Sequence, residues 1–221
     1  MTSQQVIDRM RETLGEGLRA VEASASADTI HLTVDKGAVI PASRCLQDTL
    51  GARFLISAGL DRRAREGCFR VTHIFSRDKD QQFVCVRADV PENGGEIAAI
   101  TPFVPAANWS ERECQDLVGV RAEGHPDPRR LVLADDWPEG LHPLRKDVPY
   151  NARPAPAVGA APVFKEAPEG ASTVIVGPFS PVLEEPAQLR LFVDGEHIVG
   201  CDYRGFYNHR GIEKLGDSVL T

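Results

Sequence analysis

Apolar positions along the chain follow two periods in succession. Residues 3 to 14 place Val6, Met10 and Leu14 on one side of a helix, with Thr2 and Gln5 spaced as a capping box and Gly15 as the stop. Ile30, Leu32 and Val34 then alternate with Thr29, His31 and Thr33, the period of a half-buried strand that turns His31 toward water. Pro41 can occupy the first position of a second helix, which carries Cys45, Leu46 and Leu50 inward and ends at Gly51. Strand-like stretches follow at 53–59, 68–77 and 82–90. The last two flank the turn-rich Arg77–Asp80 and are expected to pair as a hairpin, with Phe69, Val71, His73 and Phe75 on one face. Helix, strand, helix and then a strand meander predict an α+β fold, a mixed sheet with flanking helices.

The pattern breaks after residue 150. Four prolines, seven alanines and two glycines among the 21 residues of 151–171 predict an extended linker with few contacts. Beyond it, 173–176 reads as a strand, and Leu189, Leu191 and Val193 alternate before Asp194-Gly195, a hairpin turn signal followed by Ile198 and Val199. The expected organisation is a domain at 1–150, a linker at 151–171 and a small module containing a β-hairpin at 172–221. So small a module is expected to borrow stability from the first domain, a second copy of itself or a further part of a larger subunit, and in isolation either to form a homodimer through these strands or to be weakly ordered beyond about residue 205.

Composition narrows the function classes. The 221 residues carry 25 basic and 32 acidic side chains, a formal charge of −7, which argues against a nucleic-acid binder that works by neutralising phosphates. No apolar run is long enough for a membrane span and the N-terminus lacks a secretion-signal pattern, so a cytoplasmic chain that meets a membrane only through partner subunits is expected. The five cysteines, at 45, 68, 85, 114 and 201, are never closer than 17 positions, so no CxxC pair exists to hold zinc or an iron-sulfur cluster. The chain is therefore expected to carry no metal and no cofactor of its own.

Trp109–Gly119, WSERECQDLVG, is the most organised motif. Ser110 and Glu113 are spaced as a second capping box, and Gly119 supplies a stop. Glu111 and Glu113 could form an acid/base pair, as could Glu184 and Glu185, which keeps a self-contained acid/base enzyme open as an alternative. On a helix, positions i and i+2 point apart, which weighs against the first pair. The charged face of Glu111, Arg112, Glu113 and Asp116 reads as solvated or as docking to another subunit. Two His-Pro turns, at His125 and His142, are each followed by paired basic residues, Arg129-Arg130 and Arg145-Lys146, and read as proline-shaped surface arms. His73, on an apolar face, reads as a core histidine. No GxGxxG, Walker or GxSxG motif is present.

These residues carry a resemblance. Trp109–Val118, His125, Arg129-Arg130-Leu131 and His142–Asp147, in that order, resemble the 30 kDa subunit family of respiratory NADH dehydrogenase, complex I. The tail, with Gly177-Pro178, Glu185-Pro186, Leu189–Glu196 and Tyr207–Lys214, resembles the start of the large subunit of energy-converting [NiFe] hydrogenases of the formate hydrogenlyase type. The resemblance implies a non-catalytic peripheral-arm subunit or fragment on the cytoplasmic face of the inner membrane. It would scaffold the electron-transfer module of a complex that holds iron-sulfur clusters and nickel-iron. It implies a proton-relay role for Glu185 and partner docking by Glu111, Arg112, Glu113, Asp116, His125, Arg129, Arg130, Arg145, Lys146, His209 and Arg210. Ser180 departs from the histidine common after Gly-Pro, and neither CxxC of the nickel-iron site lies within the 221 residues. A respiratory 30 kDa subunit with an unusual tail is the alternative within the class.

Overall fold

A computed structural model of the chain describes residues 1–24, 28–93, 95–181 and 183–219. Two compact units are present, Met1–Pro128 and Arg129–Thr221.

The first unit is built on a five-stranded mixed sheet in the order β1-β2-β5-β4-β3, where β1 is Leu18–Ala23, β2 Thr29–Val34, β3 Arg53–Asp61, β4 Cys68–Arg77 and β5 Gln82–Pro91. β4 and β5 form the expected antiparallel hairpin, and β2 joins β5 in parallel. One face of the three central strands is apolar apart from His73: Ile30, Leu32 and Val34, Phe69, Val71 and Phe75, and Val84, Val86 and Val90 are all buried. Helix α1, Ser3–Leu14, has the predicted capping box: Gln5 N–H donates to Thr2 Oγ1 at 3.3 Å and Thr2 N–H to Gln5 Oε1 at 2.9 Å. It packs on α2, Val39–Arg44, which lies against β5. Leu46, in the wider π turn Cys45–Thr49 that continues α2, has no exposed surface, so truncation to alanine would cost about 2–5 kcal/mol.

Local differences from the sequence reading have physical causes. Pro41 stands third in α2 instead of first, still within the turn whose N–H groups lack intrahelical partners. His31 lies on the face opposite the core, as its place in the alternation predicts, but is not fully in water. Pairing of β2 with both β1 and β5 sets it between Glu22 and Cys85, half-buried, with Nδ1 lacking a partner. Burial, followed by the Arg87 charge, lowers its pKa. A short turn of helix α3, Arg63–Glu66, links β3 and β4. Two three-residue strands, β6 (Glu96–Ala98) and β7 (Arg121–Glu123), pair in parallel and are too short to show a period. Between them runs α4, Asn108–Leu117, packed on β3.

In the second unit, β8 (Ser172–Val176), β9 (Gln188–Asp194) and β10 (His197–Arg204) form an antiparallel sheet in the order β10-β9-β8, followed by α5, Ile212–Val219. The Asp194-Gly195 turn is present, with Gly195 at φ 58°. The expected hairpin is thus completed by a third strand.

The compact units divide at Pro128/Arg129, not near residue 150. The Pro/Ala stretch 151–171 has no helix or strand, yet it is pinned within its unit. The Arg129 guanidinium donates to Val163 O at 2.9 Å, the Lys165 N–H to Asp202 at 2.8 Å, and Arg190 stacks 4.4 Å over the Phe164 ring. A free extended linker is therefore not what forms, because side chains distant in sequence hold a stretch that has few anchors of its own.

Candidate functional site

Three of the four charged residues of WSERECQDLVG, Glu111, Arg112 and Asp116, are buried in the first unit. A short 3-10 turn, Pro105–Ala107, starts the chain helically before Asn108, so Ser110 falls inside α4 and does not cap it. Its hydroxyl instead donates to Ala107 O at 3.2 Å and accepts the Ser57 N–H of β3 at 3.1 Å. The Glu111 side chain is buried, and its carboxylate accepts from Ile100 N–H at 2.7 Å, Thr101 N–H at 3.2 Å and the Thr101 hydroxyl at 2.6 Å. An anion here satisfies the amides of a loop that joins no ladder, the condition under which a buried charge is tolerated.

The His125 turn folds onto the same helix. Asp127 N–H donates to His125 Nδ1 at 3.0 Å, which makes Nε2 the protonated nitrogen, donating to Asn108 O at 3.2 Å. Glu111 Oε2 lies 3.9 Å from that Nε2. Arg112 reaches Asp127 at 3.7 Å and Asn108 Oδ1 at 3.4 Å. Glu111, Arg112, Asp116 and His125 are all under 9% exposed, so the expected docking face does not exist as such, and only Glu113 of this helix's expected set reaches solvent. Glu111 and Glu113 therefore share no site.

Behind Glu111, Ser57, His73 and Cys114 line a void of about 10 Å³. Ser57 Oγ lies 2.8 Å from His73 Nδ1, while His73 Nε2 has no partner. Burial pushes the His73 pKa down to about 4 and the Cys114 thiol up to about 12. A void the size of one water molecule cannot admit a substrate, so this Ser/His/Glu grouping is core packing.

The basic residues of the second unit are also used internally. Arg129 makes a two-pronged ion pair with Asp202 at 2.8 and 3.0 Å. Burial raises the Asp202 carboxyl, but Arg129 and the Lys165 N–H outweigh it and hold the pKa below the ordinary value. Arg130 donates to Ala134 O and Trp137 O at 3.3 and 2.8 Å, and Arg204 pairs with Asp135 at 2.8 Å. Arg129 and Arg130 therefore close a loop within their own unit while staying partly exposed. The Arg145 carbonyl accepts from Lys214 at 3.0 Å, Lys146 pairs with Asp217, and His209 pairs with Glu213 at 2.6 Å. Arg210 is exposed on a cleft of about 770 Å³ that also includes Trp137, Tyr150, Phe206 and Tyr207. Glu184 and Glu185 are exposed on the loop between β8 and β9.

Sequence reasoning missed Thr101, Ser57, Asp135 and Asp202. Of these only Asp202, an acid inside a strand, carried a signal.

The metal-ligating chemistry available is slight. All five cysteines are free thiols, and among the described residues the only cluster with ligand spacing is Glu66, Cys68 and Asp89. Arg70 occupies it, bonding Asp89 at 2.6 and 2.8 Å and Glu66 at 3.4 Å. These residues do not fit an iron-sulfur or nickel-iron centre, which needs several thiolates together. Among the described residues no helix is long and apolar enough to cross a membrane.

Comparison with known proteins gives consistent matches. The family model for the 30 kDa subunit of respiratory-chain NADH dehydrogenase matches residues 32–154. Hydrogenase-4 component G and formate hydrogenlyase subunit 5 of Escherichia coli K12 are each 44% identical, over 166 and 167 residues, covering 73% of this chain and 30% and 29% of theirs. The C/D subunit of NADH-quinone oxidoreductase from Methylococcus capsulatus is 31% identical over 66% of this chain and 28% of its own. The chain thus spans less than a third of the length of these relatives. Among solved structures, a chain of the membrane-bound sulfane sulfur reductase, an archaeal respiratory membrane complex, shares the fold at a TM-score of 0.55 and 18% identity, over 67% of this chain and 86% of that one.

Proposed function

The chain belongs to the 30 kDa subunit family of respiratory-chain NADH dehydrogenase, and from that membership we propose that it is a non-catalytic scaffold within a complex I-related, hydrogenase-type oxidoreductase. A region like the 30 kDa subunit is followed by a large-subunit-like module, and the assembly sits against the cytoplasmic face of the inner membrane through its partner subunits. Iron-sulfur clusters and nickel-iron belong to the rest of that complex.

The observation that carries this reading is the fate of the signature residues. Glu111, Arg112, His125, Arg129 and Arg130 satisfy backbone groups and ion pairs within their own unit, so these signature residues serve the fold of that unit instead of lining a substrate cavity. The identity of 44% to the two hydrogenase-type relatives, against 31% to the NADH-quinone relative, favours the hydrogenase class over a respiratory 30 kDa subunit. Of the residues assigned to docking, Glu113, Lys146 and Arg210 keep that role because they are exposed. Glu185, exposed beside Pro186, is carried as the proton-relay residue.

Affinity purification of the full-length protein from its own cells tests the proposal. The expected result is co-purification, in fixed ratio, of subunits bearing iron-sulfur clusters, with hydrogen-linked dye reduction. Recovery with NADH-linked activity instead would select the respiratory reading, and recovery of the protein alone would overturn both.

A further inference from the structure

The family match and the fold divide the chain at different places. The family model runs to residue 154, whereas the first compact unit ends at Pro128. Residues 129–154 therefore belong to the 30 kDa-like region by sequence and to the second unit by structure, together with β8, β9, β10 and α5. The segment has no helix or strand of its own, yet Leu131, Val132 and Leu133 are buried. Without a ladder to satisfy its backbone, it is held by what its side chains and carbonyls meet.

Those ties run along its length and all reach into β10 or α5. Arg129 makes the two-pronged pair with Asp202 of β10. Asp135 pairs with Arg204, the last residue of β10, at 2.8 Å, and the same guanidinium donates to Leu133 O at 3.3 Å. Further on, the Arg145 carbonyl accepts from Lys214 of α5 at 3.0 Å, and Lys146 pairs with Asp217. The segment thus presents cation, anion, cation at 129, 135 and 146 to anion, cation, anion at 202, 204 and 217. Alternating signs fix one register, because a slip by one station sets like charges together. Between these ties, residues 158–163 are exposed, and Val158 is fully so.

We propose that residues 129–148 are a docking arm of the 30 kDa-like region, whose partner is the β10 and α5 side of the module at 172–221, and that the two recognise each other without the covalent connection between them. The stretch at 158–163 then acts as a tether that raises local concentration and does not hold the pieces in register. This inference rests on the family boundary and the geometry of the second unit, so it stands or falls apart from the choice of parent complex.

A protease recognition sequence inserted between Val158 and Gly159 in the full chain tests it. Gly159 lies at φ 80° with open space around it, so the insertion disturbs no packing. After cleavage of the folded protein, the two pieces should sediment as one species at about 5 μM, although the tether's effective concentration in the millimolar range is gone. Arg204→Glu, which faces Asp135 with a second acid, should weaken association of the cut pieces at least about tenfold, and Asp135→Arg in the same chain should restore most of it. The reversal separates recognition by charge from simple loss of folding. Cut pieces of the parent that separate, or a double variant that associates no better than Arg204→Glu alone, would overturn the proposal.

Discussion

Replacing Glu111 by alanine should be among the most damaging single changes in the first unit, although it touches a residue that the sequence places on a charged helix face. The carboxylate receives three hydrogen bonds, from the Ile100 and Thr101 amides and the Thr101 hydroxyl, and its residue is 4% exposed. Hydrogen bonds to a charged acceptor contribute about 1.5–3 kcal/mol each, and they do not add fully. Truncation leaves two amides buried without acceptors and opens a gap, so the expected loss is about 3–5 kcal/mol. For a unit of this size that corresponds to a fall in Tm of about 10–20 °C. Glu111→Gln keeps an acceptor but turns an NH₂ toward donors, and should cost about half as much. Glu113→Ala, one residue pair along on the exposed side, should stay within about 0.5 kcal/mol. Thermal circular dichroism gives the global number, and amide exchange at Ile100 and Thr101, fast in the alanine variant and slow in the parent, gives the local cause. A Glu111→Ala melt indistinguishable from that of Glu113→Ala, with both amides still protected, would refute the reasoning.

Acid should destabilise the first unit through His73, whose folded pKa of about 4 lies below its ordinary 6.5 because the ring is buried. Below about pH 6.5 the unfolded chain takes up a proton that the folded one refuses, so stability falls as pH drops from 6.5 toward 4, by about 3 kcal/mol in all; urea titrations should show this slope, and His73→Phe should flatten it. Thiol reagents at pH 8 should modify exposed Cys201 first and leave Cys114, pushed up to about 12, untouched until denaturant is added; early labelling of Cys114 would contradict its burial beside Gly59. Asp202→Asn should destabilise the second unit by about 2–4 kcal/mol, since it removes the charged partner of Arg129 and weakens the acceptor for the Lys165 N–H, and proteolysis should then reach 151–171, a stretch expected to resist cutting in the parent.

What the sequence made legible followed from local physics. The Thr2/Gln5 cap, the β4/β5 hairpin, the Asp194-Gly195 turn and the core faces of β2, β4 and β5 each depend on spacing within a dozen residues, and all are present. What failed depended on partners far along the chain. Glu111 reads as a solvated acid until a loop ten residues earlier supplies amides with no other acceptor. Arg129 and Arg130 read as a basic surface pair until β10 brings Asp202, 73 positions on, against the first of them. The Pro/Ala stretch reads as free because composition reports what it lacks and not what Arg129, Asp202 and Arg190 supply. The family resemblance, carried by the order of motifs between 109 and 147, survived these errors because it rests on residue identities and not on the roles assigned to them.

The scaffold claim is tested most directly by separating assembly from turnover in the intact complex. Glu111→Ala is introduced into the full-length protein in its own cells, the amount of assembled complex is measured by quantitative mass spectrometry of the partner subunits, and hydrogen-linked activity is divided by that amount. The account predicts less assembled complex and an unchanged rate per complex. Normal assembly with a reduced rate per complex would show that this region takes part in the chemistry and would contradict it.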